Sequence, residues 1–221
     1  MNLTVVIPAL NAATTIGETI GTIPSLAEVI VVDGGSYDET KDVSAQYGAR
    51  TIASTRGRGC QLAVGAAAAA HEWLLFLHAD TRLEAGWCAA VESFLADPMR
   101  KGRAATFGFR LDADCWQARV LEHLVRWRSR VLGLPYGDQG LLIHRDFYAA
   151  LGGYPDWPLM VDVEVVRRIG RGRLVTLPVY AVTSAARWRS EGWLARSARN
   201  VLCLSLFYLG IPPKTIARIY G

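Results

Sequence analysis

Two aspartates stand where apolar runs stop. Trp73–Leu74–Leu75–Phe76–Leu77 ends on His78–Ala79–Asp80, and Val29–Ile30–Val31–Val32 ends on Asp33–Gly34–Gly35–Ser36. Runs of this kind suit strands buried on both faces of a parallel sheet. A carboxylate just past the C-terminal end of such a strand lies where open α/β sheets bind ligands. A hard divalent cation takes carboxylate oxygen together with ligand phosphates, which is the chemistry offered by Asp80. The loop Thr81–Leu83 separates Asp80 from the next helix, so a capping role does not account for it. His78 is either a second metal ligand, pointing to Mn²⁺ over Mg²⁺, or a satisfied histidine at a strand end. Asp33 can accept from a nucleobase N–H or a ribose hydroxyl. Ser36 and Glu39 beside it read as a capping box, and the two glycines as a turn.

Further polar clusters lie downstream. Arg56–Gly57–Arg58–Gly59 precedes a helix, and glycines at a helix N-terminus let backbone N–H groups and arginines approach a phosphate. The spacing is not a dinucleotide fingerprint, because Leu62 stands at the third glycine position. No Gly-Lys-Ser/Thr of a phosphate loop follows. Tyr136–Gly137–Asp138–Gln139–Gly140 has turn composition. Asp162 sits at a loop-to-helix junction, where a first-turn acid is favoured by the helix dipole. Arg187 can pair with a phosphate, while Trp157 and Trp188 can wall an acceptor.

These residues need a scaffold. Strands are expected at Leu3–Pro8, Glu28–Val32, Thr51–Ala53 and Trp73–His78. Helices alternate with them at Thr14–Ile23, Asp38–Tyr47, Gln61–Ala70 and Glu84–Leu95, an order that predicts a parallel sheet with right-handed crossovers. The second half is less regular. Strands are expected at Ala104–Leu111, Gly140–His144 and Leu174–Val182. Helices are expected at Trp116–Leu132, Asp146–Leu151, Val161–Ile169 and, as one long element, Ser190–Leu209. On Trp116–Leu132 the arginines 119, 126, 128 and 130 form a polar side. Val120, Leu121, Leu124, Val125 and Trp127 form an apolar side, a pattern of core helices and of helices on membrane surfaces.

The 221 residues carry 24 basic and 20 acidic side chains, a mild excess that fits an anionic small ligand or a membrane surface. Nothing here calls for nucleic acid as a partner. Four scattered cysteines with no CxxC pair exclude a zinc or dithiol signature and suggest reduced thiols in a cytoplasmic protein. No basic leader precedes the first strand, and the apolar stretch Val201–Ile211 is shorter than the ~20 residues that span a bilayer.

Taken together, the motifs resemble the family-2 inverting glycosyltransferases of the GT-A fold, an α/β fold with a mostly parallel central sheet flanked by helices. The resemblance covers nearly the whole chain. It rests on Val6–Ile7–Pro8–Ala9–Leu10–Asn11, Val32–Asp33–Gly34–Gly35–Ser36–Tyr37–Asp38, Leu77–His78–Ala79–Asp80 in the DxD place, Gly152–Gly153–Tyr154–Pro155, and Val161–Asp162. Gly57–Arg58–Gly59–Cys60–Gln61, Phe76–Thr81 and Gly137–Asp138–Gln139 are similar to a small bacterial branch named as radical-SAM/selenodomain-associated or arsenosugar-biosynthesis-like.

The resemblance implies one domain over 1–221, with a nucleotide-sugar half at 1–110 and an acceptor half at 111–221. It implies an NDP-sugar donor, most often UDP-linked, contacted by Pro8, Asn11, Asp33, Arg56, Arg58, Ala79, Asp80 and Arg187. Mn²⁺ or Mg²⁺ falls to Asp80 with His78. Asp162 is the implied base, with Asp138 the alternative because the Glu usual before that Asp is Val161 here. The acceptor, unidentified, falls to Trp157 and Trp188. A cytoplasmic protein, peripheral at the inner membrane face, and a homodimer both fit. A non-catalytic nucleotide-sugar-binding protein is the competing reading. A nucleotidylyltransferase ranks low because no glycine-rich basic loop follows the first strand.

Overall fold

The computed structural model describes residues 1–220. In chain order the elements are β1 (Leu3–Ala9), α1 (Ala13–Gly21), β2 (Glu28–Asp33), α2 (Thr40–Gln46), β3 (Arg50–Ala53), α3 (Arg58–Ala68), β4 (Trp73–Phe76), β5 (Thr81–Leu83) and α4 (Trp87–Leu95). Then come β6 (Ala104–Leu111), α5 (Trp116–Leu132), β7 (Leu141–His144), α6 (Arg145–Ala150), α7 (Val161–Ile169), β8 (Leu174–Thr183), α8 (Ala186–Glu191), α9 (Trp193–Tyr208) and α10 (Pro213–Tyr220). One sheet runs through both halves of the chain in the order β3-β2-β1-β4-β7-β6-β8-β5. The pairs β1–β2, β1–β4, β2–β3 and β6–β8 are parallel, and β7 and β5 pair antiparallel to their neighbours.

The central strands are apolar at most positions because both faces are covered, and alternation sorts their side chains between two cores. Val5, Ile7, Val31 and Leu75 face one layer, filled by Ile16 and Ile20 of α1 and Trp87, Val91 and Phe94 of α4. Val6, Ile30, Val32, Leu74 and Phe76 face the other, filled by Leu62 of α3, Phe147 of α6, and Val161, Val165 and Ile169 of α7. Burying each such side chain contributes ~1.5–3 kcal/mol, enough to fix the register of strands only four to seven residues long. Gly65 lets α3 lie directly on Val6 and Val32, where a Cβ would collide with both.

Four expectations change. The run Trp73–His78 pairs only to Phe76, and His78–Ala79–Asp80 forms a turn closed by Thr81 N donating to His78 O at 3.3 Å. The stretch Thr81–Leu83, read as loop, is a strand on β8. Ser36 does not cap a helix. Its Oγ accepts from Asn11 N at 2.9 Å, and α2 begins later, at Thr40, without a side-chain cap. The long helix expected at Ser190–Leu209 is broken at Gly192, whose φ of 87° is left-handed and open to glycine. The four cysteines are free.

Candidate functional site

The C-terminal ends of β1, β2 and β4 open onto one polar cluster. Gln61 of α3, buried, holds two of these ends at fixed separation. Its Nε2 donates to Ala9 O and to Val32 O, both at 2.8 Å. Pro8 lies beyond the last β1–β4 pair, Val6–Phe76, so its missing N–H leaves no ladder bond unmade.

Asp33 is fully buried and accepts from Gly35 N at 3.1 Å and Ser36 N at 3.2 Å, with Lys41 Nζ 3.5 Å away. Burial pushes its carboxyl up, but the bonds from Ser36 and Gly35 and the charge of Lys41 outweigh this and hold it below the ordinary value. Asn11, at a left-handed φ of 50°, accepts at Oδ1 from Tyr37 N at 2.9 Å. Both residues therefore brace the 34–37 turn through atoms that the sequence reading assigned to a nucleotide.

The chemistry concentrates around Arg58, the first residue of α3. Its Nε donates to Asp162 Oδ2 at 2.9 Å, across 104 residues of chain, and its Nη2 contacts His78 Nε2. Burial works against the guanidinium charge, yet Asp162 more than restores it. For His78, burial comes first and the charges of Arg58 and Arg187 add to it, so the imidazole stays neutral well below the usual range. With Nε2 accepting from Arg58, the ring proton lies on Nδ1, which faces Asp80 Oδ1 at 3.9 Å. Arg187, exposed in the first turn of α8, thus reaches the cluster electrostatically, while Arg56 stands exposed on the loop before α3.

Two more carboxylates complete it. Asp162 stands in the first turn of α7 and also accepts from the Tyr154 hydroxyl at 3.4 Å. That phenol is held neutral, first by burial and then by the Asp162 charge. Asp138 lies on the turn Gly137–Gln139, and its Oδ1 is buried with no hydrogen-bond partner among the described residues. Burial pushes Asp138 up to about 6, with Arg128 opposing and Asp162 and Asp80 adding to the rise.

The sign of the resulting pH dependence is fixed. Between the ordinary 3.8 and about 6 the folded chain keeps a proton that the unfolded chain has released, so this group's contribution to stability falls as pH rises through that window. The difference in Tm between Asp138→Asn and the natural chain should grow in favour of the variant from pH ~4 to ~6.5 and then level off. Calorimetry across that range checks it, and a flat difference would show that Asp138 is not strained by ionisation.

The cluster also corrects the sequence reading. Trp188, expected to wall an acceptor, is 8% exposed and stacks on Trp193 at 6.4 Å between centroids. Trp157 stays partly open and lines a groove of ≈ 360 Å³ with Phe207 and Tyr208. Val161, the first residue of α7, is 1% exposed and packs into the core with Val165 and Ile169. Sequence reasoning missed Gly137, Tyr154 as a donor to Asp162, and Gln61 as a brace. For Gly137 the signal was present but ambiguous, because a glycine in a turn has several explanations.

Among the described residues no three His, Cys, Asp or Glu side chains form a metal cage. Asp80 offers a carboxylate that is part exposed at the cluster, and Asp138 adds one unpartnered but buried oxygen. That donor set suits an ion taking one or two carboxylates and the remaining ligands from phosphates and water. His78, with its Nε2 occupied by Arg58, turns its Nδ1 toward Asp80 Oδ1 at 3.9 Å, beyond hydrogen-bond reach.

Known proteins share this architecture. The chain superposes on a mannosyltransferase of Pyrobaculum calidifontis solved with GDP-Man and Mn²⁺ (TM-score 0.68, 22% identity, 90% of this chain and 59% of that one). It superposes likewise on glucosyl-3-phosphoglycerate synthase of Mycobacterium tuberculosis solved with Mn²⁺ and UDP-glucose (TM-score 0.64, 20% identity, 95% and 79%). The shared fold is GT-A. An uncharacterised glycosyltransferase of M. tuberculosis is 30% identical over 132 residues, 58% of this chain and 59% of that protein. The match therefore spans well under two thirds of that curated relative. The sequence model of glycosyl transferase family 2 matches residues 4–129. With more than half of its length matched, the chain belongs to glycosyl transferase family 2.

Proposed function

We propose that this protein is a metal-dependent inverting glycosyltransferase that moves a sugar from a nucleoside diphosphate donor, UDP-linked by preference, to an acceptor hydroxyl. One observation carries the reading. Arg58, His78, Asp80, Asp138 and Asp162 come from four separate places in the chain and converge at the strand ends. Membership of the small bacterial branch named above is part of the same proposal.

Each residue has a task. The start of α3 has no side-chain cap, so its first N–H groups and Arg58 offer a site for diphosphate. Asp33 and Asn11 shape the turn against which the nucleoside lies. Arg187 and Arg56 add positive charge at the rim. A divalent ion on Asp80 would supply charge to the departing diphosphate. Asp162 takes the acceptor proton as its hydroxyl attacks the anomeric carbon from the face opposite the leaving group. Asp138 Oδ1, unpartnered and buried, accepts from an acceptor or sugar hydroxyl. In the donor-free state Arg58 neutralises Asp162. A diphosphate competes for that guanidinium and so frees the base when the donor arrives. Trp157 borders the acceptor side.

The test is thermal shift with a panel of nucleoside diphosphates, each with and without Mn²⁺. A ligand at ~100 times its Kd adds about 2.7 kcal/mol of stability. The expected result is a shift with UDP that requires the metal and disappears in Asp80→Ala. No shift with any nucleotide would remove the donor site and the proposal with it.

A further inference from the structure

Helix α5 exposes the wrong face for a protein surrounded only by water. Ala118, Glu122 and Val125 are buried against the sheet. On the opposite side Trp116, Val120, Leu124, Trp127 and Val131 recur at spacings of four, four, three and four, so they share a stripe about 80° wide. All five are open to solvent, at 72, 49, 58, 57 and 43%. The sequence pattern suggested that Val120, Leu124 and Trp127 belonged with Val125 on one apolar side, but the structure separates them from it.

The charges beside the stripe have one sign. Arg119, His123, Arg126 and Arg130 lie along its edge by the same helical spacing, and Arg126 and Arg130 are exposed with no carboxylate partner among the described residues. The only acid on the helix, Glu122, is buried and bonded to Arg119 and Leu111 N. Just before the helix, Asp112 is tied to Ala185 N, and Asp114 lies 3.5 Å from Arg119.

We propose that α5 docks flat on an anionic lipid bilayer, its tryptophans and aliphatic side chains entering the interface and its arginines meeting the headgroups. An apolar stripe with indoles and a basic border is the composition of interfacial helices. At 17 residues, roughly 25 Å, α5 is too short to span, and among the described residues no helix is long and apolar enough to cross a membrane. A second copy is the poorer occupant, because an antiparallel two-fold contact would set one arginine row against the other. The docked surface borders the site. Arg128 of α5 donates to Leu134 O at 2.9 Å and stacks 3.4 Å over Tyr136, the residue before the turn that carries Asp138.

Co-sedimentation of the full chain with vesicles tests this independently of any transfer activity. Vesicles of phosphatidylcholine with about 30% phosphatidylglycerol, in about 0.1 M NaCl, should bind at least ~10-fold more protein than phosphatidylcholine alone. Trp116→Ser/Trp127→Ser and Arg126→Glu/Arg130→Glu should each lose that binding while keeping the Tm and the nucleotide response of the natural chain. The proposal is overturned if the natural chain stays in the supernatant with anionic vesicles, or if both double variants sediment undiminished. It is also overturned if light scattering shows a dimer that the tryptophan variant turns into a monomer, since a second copy would then cover the stripe.

Discussion

Asp162→Asn should lower kcat by roughly 10²–10⁴-fold, the usual worth of a positioned general base, while nucleotide affinity in the presence of Mn²⁺ is unchanged or tighter. The direction of the second effect follows from Arg58. In the natural chain its Nε donates to Asp162 at 2.9 Å, so a diphosphate must compete with a carboxylate for the guanidinium. Asparagine keeps the shape but removes the charge, leaving Arg58 a better phosphate ligand. A binding protein without catalysis would show the affinity change and no turnover to lose. The measurement is release of nucleoside diphosphate from whichever donor gives the largest thermal shift, beside titration of the nucleotide. Asp138→Asn is the comparison. Because Asp138 is pushed up to about 6, activity that needs it ionised should fall as pH drops below about 6, and this break should vanish in the variant. A larger loss of kcat in Asp138→Asn than in Asp162→Asn would transfer the role of base to Asp138.

What the sequence revealed, and what it hid, divides along contact range. The strand ends at Asp33 and Asp80 are written locally, because a run buried on both faces must be apolar throughout and its first carboxylate marks where the sheet ends. Even so, pairing stops at Phe76, since the residues beyond it turn toward β8, a partner about 100 residues away in sequence. The pair Arg58–Asp162 joins residues 104 apart and leaves no local periodicity, so the sequence offered two separate phosphate-like and acid-like motifs. Asp138 and Asp162 were reached through family resemblance, and each alone has an ordinary explanation as a turn or first-turn acid. Trp157 and Trp188 looked equivalent, but only tertiary packing decides which indole is stacked away in a core. On α5 the apolar spacing was legible, whereas the direction it faces depended on Ala118 and Val125, two small residues that let the helix seat on its other side.

Gly137→Ala should cost about 10²-fold in kcat/KM with little change in Tm. A Cβ at this position would lie 2.5 Å from Asp162 Oδ2 and 2.6 Å from Arg58 Nη2, inside any allowed contact. Gly137 is not among the left-handed glycines, so alanine meets no backbone strain and the damage falls on the two side chains. Arg58 has a flexible end and can swing away. Asp162 has one carbon between backbone and carboxylate and must rotate on the first turn of α7, which loosens its bond to Tyr154 as well. Relief of the collision therefore moves the acid by something near 1 Å, and a misplacement of that size at reacting groups costs on the order of 10²-fold. The fold itself loses little, because both displaced groups are polar and partly open, at 26 and 18% exposure of their side chains. Gly102→Ala is the control, since a Cβ there meets nothing within 4 Å. If Gly137→Ala and Gly102→Ala both match the natural chain in rate, the Arg58–Asp162 pair is not the arrangement in which the enzyme works. If Gly137→Ala instead loses several degrees of Tm, the turn is a structural support, and the site must be probed through Arg58→Lys, which keeps the charge but not the fork.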